Sequence, residues 1–228
     1  MRRLVMLQKN PKPPLDAGQF QAFIFDLDGV VTKTAQVHAT AWKKLFDRYL
    51  EERTKQEGKT FRPFDANLDY RRYVDGKPRY EGVKSFLESR GVTVPYGDPA
   101  DEPDEDSICG LGNKKSLYFI QALKARDVET FPSTLALIRE ARAQGIKTAI
   151  VSSSKNCAAV LDAAGLTGLF DAKVDGVDLA RNHLKGKPEP DMFLQAARLL
   201  GVAPERAVIF EDALAGVQAA RQGSFGLV

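Results

Sequence analysis

Two carboxylates at the end of a short apolar run are the residues of this sequence with the clearest chemical potential. The run 22–25 (AFIF) leads directly into Asp26 and Asp28, which are separated by Leu27 and followed by Gly29. A short apolar run that ends at a glycine is typical of a buried strand followed by a tight loop. Side chains at i and i+2 of a strand point the same way, so the two carboxylates emerge together. Because like charges repel, they need a cation such as Mg²⁺ to stay ionised. We therefore predict an enzyme that handles phosphate.

Further polar residues lie at or near the carboxyl ends of later predicted strands. They are Ser152, Ser153, Ser154, Lys155, Asn156, Lys187, Glu211 and Asp212. Each group alone has a structural explanation, since Ser154 or Asn156 would cap the helix that follows it. Open α/β sheets, however, bind their ligands at the carboxyl ends of their strands. The groups taken together, in this order, therefore predict one site.

The elements that must position these residues alternate between helix and strand after residue 130. Strands are predicted at 147–152, 172–174 and 207–212, with helices that open at Pro132, near Asn156 and at Pro190 and a last helix that ends near Gly223. This alternation predicts parallel βαβ units, and the first strand must pair with the later ones to bury both its faces. The predicted fold class is α/β, with a Rossmann-like parallel sheet flanked by helices.

The first strand is separated from the others by a long insertion. We predict a core domain formed by 20–33 and 131–228, and an inserted α-helical cap domain at 34–130. Residues 1–19 are expected to form a poorly ordered leader. The chain stops at 225–228 where another strand begins to form, which suggests a truncated C-terminus.

Within the cap, two helices and one loop are predicted. The helices are 36–53 and 113–126, and the acidic, proline-rich segment 95–106 is expected to be an exposed loop. The stretch 54–82 has no clear periodicity.

The composition excludes several classes of protein. With 228 residues, 43% of them hydrophobic and 28% charged, the chain has the composition of an ordinary globular protein. Its net charge of +3 is spread among acidic residues, which argues against nucleic acid as a partner. No apolar run approaches the roughly 20 residues of a membrane span. Cys109 and Cys157 have no metal-site spacing, so reduced thiols and a cytoplasmic location are expected.

Four motifs, read in order, resemble those of the haloacid dehalogenase superfamily. They are DLDGVVTKTAQVHATAW, VSSSKN, GKPEPDMF and FEDALAGVQAA, and the similarity extends over residues 20–228. Within the superfamily they are similar to the β-phosphoglucomutase branch of capped sugar-phosphate enzymes. His38 with Trp42, and the triplet 154–156, carry this finer resemblance.

The resemblance implies roles for the residues of these motifs. Asp26 matches a nucleophile that forms an aspartyl-phosphate, and Asp28 matches the general acid/base. Ser152 and Lys187 match groups that contact the transferring phosphoryl group. The implied cofactor is Mg²⁺, with Asp26, Asp28 (through its backbone carbonyl), Glu211 and Asp212 as its ligands.

The resemblance is weaker in the cap. Mutases carry a Gly-x-Ser-Arg substrate loop at the start of a cap helix, and we expect its counterpart at 110–116 (GLGNKKS), with Asn113 in the arginine position. Lys114 follows it and either binds a second phosphate from the helix start or is an ordinary surface lysine. Lys33 stands where the family commonly has an acidic residue, and the segment 54–106 makes the cap longer than in compact mutases. The predicted substrate-binding residues are His38, Trp42, Gly110, Asn113, Lys114, Ser153, Ser154, Lys155 and Asn156.

The resulting expectation is a phosphotransferase that interconverts β-glucose 1-phosphate and glucose 6-phosphate. The alternatives are a small-molecule phosphatase with the same site and an inactive binding module. The expected partner is a small phosphorylated sugar, with neither nucleic acid nor membrane, and a monomer is favoured.

Overall fold

The structure of the protein is a computed structural model that describes residues 18–58, 60, 62–125 and 128–228. Nearly all of the predicted leader, residues 1–19, lies outside the described residues. Among the described helices, none is long and apolar enough to cross a membrane.

Four parallel strands form one sheet in the order β3-β2-β1-β4. The strands are β1 (Ala22–Asp26), β2 (Lys147–Val151), β3 (Ala172–Val174) and β4 (Ala207–Phe210). All residues of β1 are buried. Alternate residues of β1 enter separate hydrophobic clusters, with Phe23 and Phe25 in one and Ala22 and Ile24 in the other. Burial on both faces explains why this strand is apolar throughout instead of alternating.

Helices cover both sides of the sheet, as predicted. The helices that follow the insertion are α4 (Pro132–Ala143), α5 (Cys157–Ala163), α6 (Gly176–Arg181), α7 (Asp191–Leu200) and α8 (Leu214–Gln222). A 3₁₀ turn, Pro204–Arg206, precedes β4. The short helix α6 was not predicted, although Asp175 opens it with a capping box. In the predicted strand at 225–228, Leu227 makes a single parallel bridge to Val208.

The strand register brings the predicted site residues to one edge of the sheet. Asp26 pairs with Val151, so Ser152 follows beside it. Phe25 pairs with Phe210, so Glu211 comes level with Asp26 on the other side. The carboxyl end of the central strand is therefore flanked by polar residues from both neighbouring strands.

The predicted cap segment, residues 34–130, is helical. Its helices are α1 (Ala35–Glu57), α2 (Arg79–Ser89) and α3 (Ile108–Lys124), with a π-helical turn at Tyr70–Val74. A third hydrophobic cluster holds them together, with Phe46 and Phe86 at its centre. The segment 95–106 contains neither helix nor strand, as expected. The boundaries of the cap at 34 and 130 stay a prediction.

The prediction that a helix starts at residue 113 was wrong, because α3 begins at Ile108. Ser107 caps it by accepting a hydrogen bond from the backbone of Gly110. The glycines of the first turns mark close packing: a Cβ on Gly110 would lie 2.5 Å from the carbonyl oxygen of Glu105. α2 and the π-helical turn were not predicted.

Candidate active site

A cavity of about 260 Å³ lies over the carboxyl end of the sheet. Its walls come from the loops after β1, β2 and β4 and from the cap segment, including α1, α3 and the π-helical turn. Asp26 and Asp28 line it from the sheet side. The cavity therefore joins the predicted catalytic residues to the cap segment.

Lys187 links two carboxylates beneath the cavity. Its buried Nζ lies 2.5 Å from Oδ1 of Asp26 and 2.6 Å from Oε2 of Glu211. Burial opposes the charge on Lys187, but the Asp26 and Glu211 carboxylates outweigh it and raise the pKa of Lys187. The ammonium group is therefore a fixed positive charge beside Asp26.

Three carboxylates form a group that fits a hard divalent cation. Oxygen atoms of Asp26, Glu211 and Asp212 all lie within 4.8 Å of one another. Burial, followed by the charge of Glu211, raises the pKa of Asp26 well above its usual value and the pKa of Asp212 to about 6. In the part of the chain that the structure describes, no cationic side chain forms an ion pair with Asp212. A bound cation would relieve this repulsion, and oxygen donors are the ligands that Mg²⁺-like ions prefer.

Gly29 lets Asp212 approach the loop after β1. A Cβ on Gly29 would lie 2.1 Å from Oδ2 of Asp212, and the φ angle of Gly29 is +94°. No other residue type meets both conditions without displacing the carboxylate. The glycine after Asp28 is thus required for the acidic group to assemble.

Asp28 faces a different set of partners. Its Oδ1 accepts a hydrogen bond from Thr34 and lies 3.3 Å from Nε2 of His38. Burial alone would raise the pKa of Asp28, but the charge of His38 and its hydrogen-bonding neighbours outweigh burial and lower the pKa to about 2. Asp28 is therefore a carboxylate at neutral pH.

Lys115 on α3 completes this set and was missed by the sequence analysis. Its Nζ lies 2.6 Å from Nδ1 of His38 and 4.7 Å from the ring centroid of Trp42. Burial lowers the pKa of Lys115 to about 7, and burial with the nearby Lys115 charge also lowers the pKa of His38. Lys115, His38 and Asp28 thus form a line of three titratable groups along one wall.

Most of the predicted site residues line the cavity. They are Asp26, Asp28, His38, Trp42, Ser152, Ser153, Ser154, Lys155, Asn156 and Glu211. Lys187 and Asp212 lie beside it, through their contacts with Asp26 and Gly29.

Within the loop after β2, the serines have structural partners as well. Oγ of Ser153 donates to the carbonyl oxygen of Gly76 at 2.8 Å, and Nδ2 of Asn156 donates to Oγ of Ser116 at 3.1 Å. This loop therefore also binds the cap segment. Lys33 pairs with Glu129 at 2.8 Å, away from the cavity.

Three predicted substrate-binding residues, Gly110, Asn113 and Lys114, do not line the cavity. Lys114 pairs with Asp104 at 2.7 Å, and the side chain of Asn113 donates to the carbonyl oxygen of Asp101 at 2.8 Å. The expectation that Lys114 stands at a helix start was wrong. Because α3 begins at Ile108, these side chains lie well inside the helix and face the acidic loop.

The cavity wall is formed instead by four residues that the sequence analysis did not select, Gly76, Lys77, Pro78 and Arg79. They immediately precede or begin α2. Their glycine-to-arginine spacing is that of the Gly-x-Ser-Arg loop, with a proline in the serine position, and this signal was present in the sequence. Arg79 lies 4.9 Å from the ring centroid of Tyr80, and Nζ of Lys155 lies 5.6 Å from the same ring. Two cations therefore meet at this part of the wall.

Comparisons with known proteins agree with this geometry. A family model described as haloacid dehalogenase-like hydrolase matches residues 20–223. A β-phosphoglucomutase of Mycobacterium bovis is 46% identical over 208 residues, which cover 91% of this chain and 79% of the relative. A β-phosphoglucomutase of Bacillus subtilis is 32% identical over 199 residues, covering 87% of this chain and 78% of the relative.

A solved structure supports the fold. The crystal structure of β-phosphoglucomutase from Clostridium difficile matches with a TM-score of 0.71 and 26% identity, over 91% of this chain and 83% of that chain. This likeness confirms the predicted α/β class.

Proposed function

Because this chain belongs to the haloacid dehalogenase-like hydrolase family, we propose that it is a Mg²⁺-dependent sugar-phosphate phosphotransferase, and specifically a β-phosphoglucomutase. The observation that carries this proposal is the presence of cationic groups on two sides of one cavity. Lys187 pairs with Asp26 on the sheet side, while Arg79 and Lys155 meet in the wall beside α2. A mutase must hold one phosphate while it transfers another, and the relatives named above support the same reaction.

In this proposal Asp26 is the nucleophile. Its carboxylate oxygen attacks phosphorus, the bond from phosphorus to the sugar oxygen breaks, and an aspartyl-phosphate forms. Lys187 neutralises charge on the phosphoryl oxygens. An ammonium group about 4 Å from such an oxygen contributes on the order of 4 kcal/mol at an effective dielectric near 20. Ser152, which follows the strand beside Asp26, donates a hydrogen bond to the same group.

Asp28 moves the proton in both half-reactions. As a base it takes the proton of the sugar hydroxyl that attacks the aspartyl-phosphate, and it returns this proton to the sugar oxygen that departs in the other half-reaction. The low pKa of Asp28, about 2, places its carboxylate in the base form before the hydroxyl attacks. His38 and Lys115 lie behind it, where they hold the carboxylate in place and can supply its proton.

Asp26, Glu211 and Asp212 would hold the Mg²⁺ ion, with the backbone carbonyl of Asp28 as a further ligand. When bound, the ion would lower the repulsion between these carboxylates and the incoming phosphate. The raised pKa values of Asp26 and Asp212 support a cation here, since Asp26 must be ionised to attack.

The proposal is tested by replacing Asp26 and Asp28 one at a time. With acetyl phosphate as donor, Asp28→Asn should still form a phosphoenzyme on Asp26 while its turnover falls by roughly 10²–10⁴-fold. Asp26→Asn should form no phosphoenzyme. Asp162→Asn, on the exposed side of α5, is the matched control and should behave as the wild type.

Equal residual rates for the two variants, or phosphate trapped on another residue, would contradict these roles. A phosphoenzyme that passes its phosphate only to water would identify a phosphatase with the same active site.

A further inference from the structure

Tyr70 and Asp75 line the cavity from the part of the cap that none of the recognised motifs covers. They bracket the π-helical turn, in which the backbone N–H of Asp75 donates to the carbonyl oxygen of Tyr70 at 3.0 Å. Such turns are rare and occur frequently at functional sites. The proposed chemistry uses neither side chain.

The two side chains are neighbours. Burial raises the pKa of both groups, and the adjacent Tyr70 hydroxyl partly offsets this rise for the Asp75 carboxylate. Within the described ranges, no cation forms an ion pair with Asp75. A carboxylate has about four acceptor positions, so a partly buried one beside a single hydroxyl group has capacity left. Asp75 lines the cavity, so a molecule bound there can contact its carboxylate.

The loop that carries Asp75 is fixed against the sheet side of the site. Oγ of Ser153 donates to the carbonyl oxygen of Gly76 at 2.8 Å. A Cβ on Gly76 would lie 3.1 Å from Cβ of Ala213, and the φ angle of Gly76 is +70°. Asp75 is therefore held in one position next to the loop that follows β4.

The chemistry of Asp75 limits what it can bind. A carboxylate repels phosphate, so it cannot serve as a second phosphate site. The described group of carboxylates that could hold a metal ion consists of Asp26, Glu211 and Asp212 and does not include it. The remaining partners for Asp75 are neutral hydrogen-bond donors, and the hydroxyl groups of a sugar are such donors.

We propose that Asp75, positioned by Tyr70, accepts hydrogen bonds from hydroxyl groups of the sugar and so makes the cavity select polyhydroxylated phosphate esters. This inference rests on the proposed function and names how its substrate class is recognised. A site built to bond a hydroxyl rejects an analogue that lacks it, because its buried acceptor is then left unpaired.

The test compares substrates with and without hydroxyl groups. The probes are β-glucose 1-phosphate, its 2-, 3- and 4-deoxy analogues, and p-nitrophenyl phosphate, with loss of substrate and release of free phosphate both followed. For Asp75→Asn, kcat/KM on β-glucose 1-phosphate should fall about 10- to 100-fold, while p-nitrophenyl phosphate hydrolysis stays within about 2-fold of the wild type. On one deoxy analogue the variant should lose far less, because the hydroxyl that Asp75 binds is already missing.

Tyr70→Phe should show the same pattern with a smaller loss, since it removes only the group that positions Asp75. The matched controls are Tyr73→Phe, on the same turn, and Glu81→Gln, an exposed carboxylate on α2; neither residue lines the cavity. Equal losses on the sugar phosphate and on p-nitrophenyl phosphate would overturn the inference, as would no loss on any sugar phosphate. A weaker response to Mg²⁺ with unchanged sugar discrimination would instead place Asp75 near the metal and also refute it.

Failure of the proposed mutase activity would leave this test intact. If the wild type only hydrolyses sugar phosphates, the same comparison is made on free phosphate release. The inference is then decided by whether Asp75→Asn loses less activity on a deoxy analogue than on the complete sugar phosphate.

Discussion

Replacing Lys115 by methionine removes the buried ammonium group that faces His38, and the pKa of His38 should rise. Nζ of Lys115 lies 2.6 Å from Nδ1 of His38, so the two charges are about 4 Å apart. At an effective dielectric near 20 they repel by about 4 kcal/mol, and this repulsion disfavours protonation of His38. The pKa of Lys115 is about 7, so its charge is present over the range in which His38 titrates. The remaining burial and the Asp28 carboxylate oppose each other, and we expect a net rise in the pKa of His38.

The measurement is an NMR titration of the histidine Cε1–H signals in metal-free protein. The sequence contains two histidines, so the exposed His183 provides an internal reference. Methionine is unbranched like lysine, is one atom shorter and lacks the charge. Lys114→Met, whose charge lies at the surface beside Asp104, is the matched control and should leave His38 unchanged. If His38 titrates at the same or a lower pH in Lys115→Met, the line from Lys115 to Asp28 is not organised as described.

The remaining predictions concern the metal group and the second phosphate. Gly29→Ala should raise the Mg²⁺ concentration needed for half-maximal activity, because its Cβ would lie 2.1 Å from Asp212; Gly91→Ala, with positive φ but open space, is the control. Asp212→Asn should lose most activity and need more metal, and wild-type activity that persists in EDTA would refute the metal requirement. Arg79→Ala should reduce sugar-phosphate isomerisation by at least about 10-fold and spare p-nitrophenyl phosphate hydrolysis. Lys114→Ala should change neither activity. If Lys114→Ala instead lost isomerisation and Arg79→Ala did not, Lys114 would bind the second phosphate, as expected from the sequence.

The sheet and the catalytic motifs could be predicted from the sequence because their signals are local. The apolar run before Asp26 indicates a strand buried on both faces, and the i, i+2 spacing places Asp28 on the same side. Parallel pairing then requires the residues after β2 and β4 to lie at the same edge, and the structure places Ser152 and Glu211 there. None of these steps needs knowledge of distant packing.

The part of the cavity lined by the cap segment could not be predicted in the same way, because it depends on how the helices of that segment pack against one another. Successive residues of a helix point about 100° apart, so Lys114 and Lys115 project in different directions. Which of them is buried depends on the position of His38 on α1, and no spacing rule within α3 contains that information. Gly110 and Gly112 indicated a loop, but they allow Glu105 and Tyr80 to approach the helix closely.

The central claim is tested most directly by the fate of the phosphate. Full-length protein is incubated with Mg²⁺, β-glucose 1-phosphate and a trace of β-glucose 1,6-bisphosphate, and glucose 6-phosphate and free phosphate are measured in the same sample. We expect glucose 6-phosphate to form in large excess over free phosphate in the wild type, and neither product to form in Asp26→Asn. Free phosphate as the main product, or undiminished formation of glucose 6-phosphate by Asp26→Asn, would contradict the account.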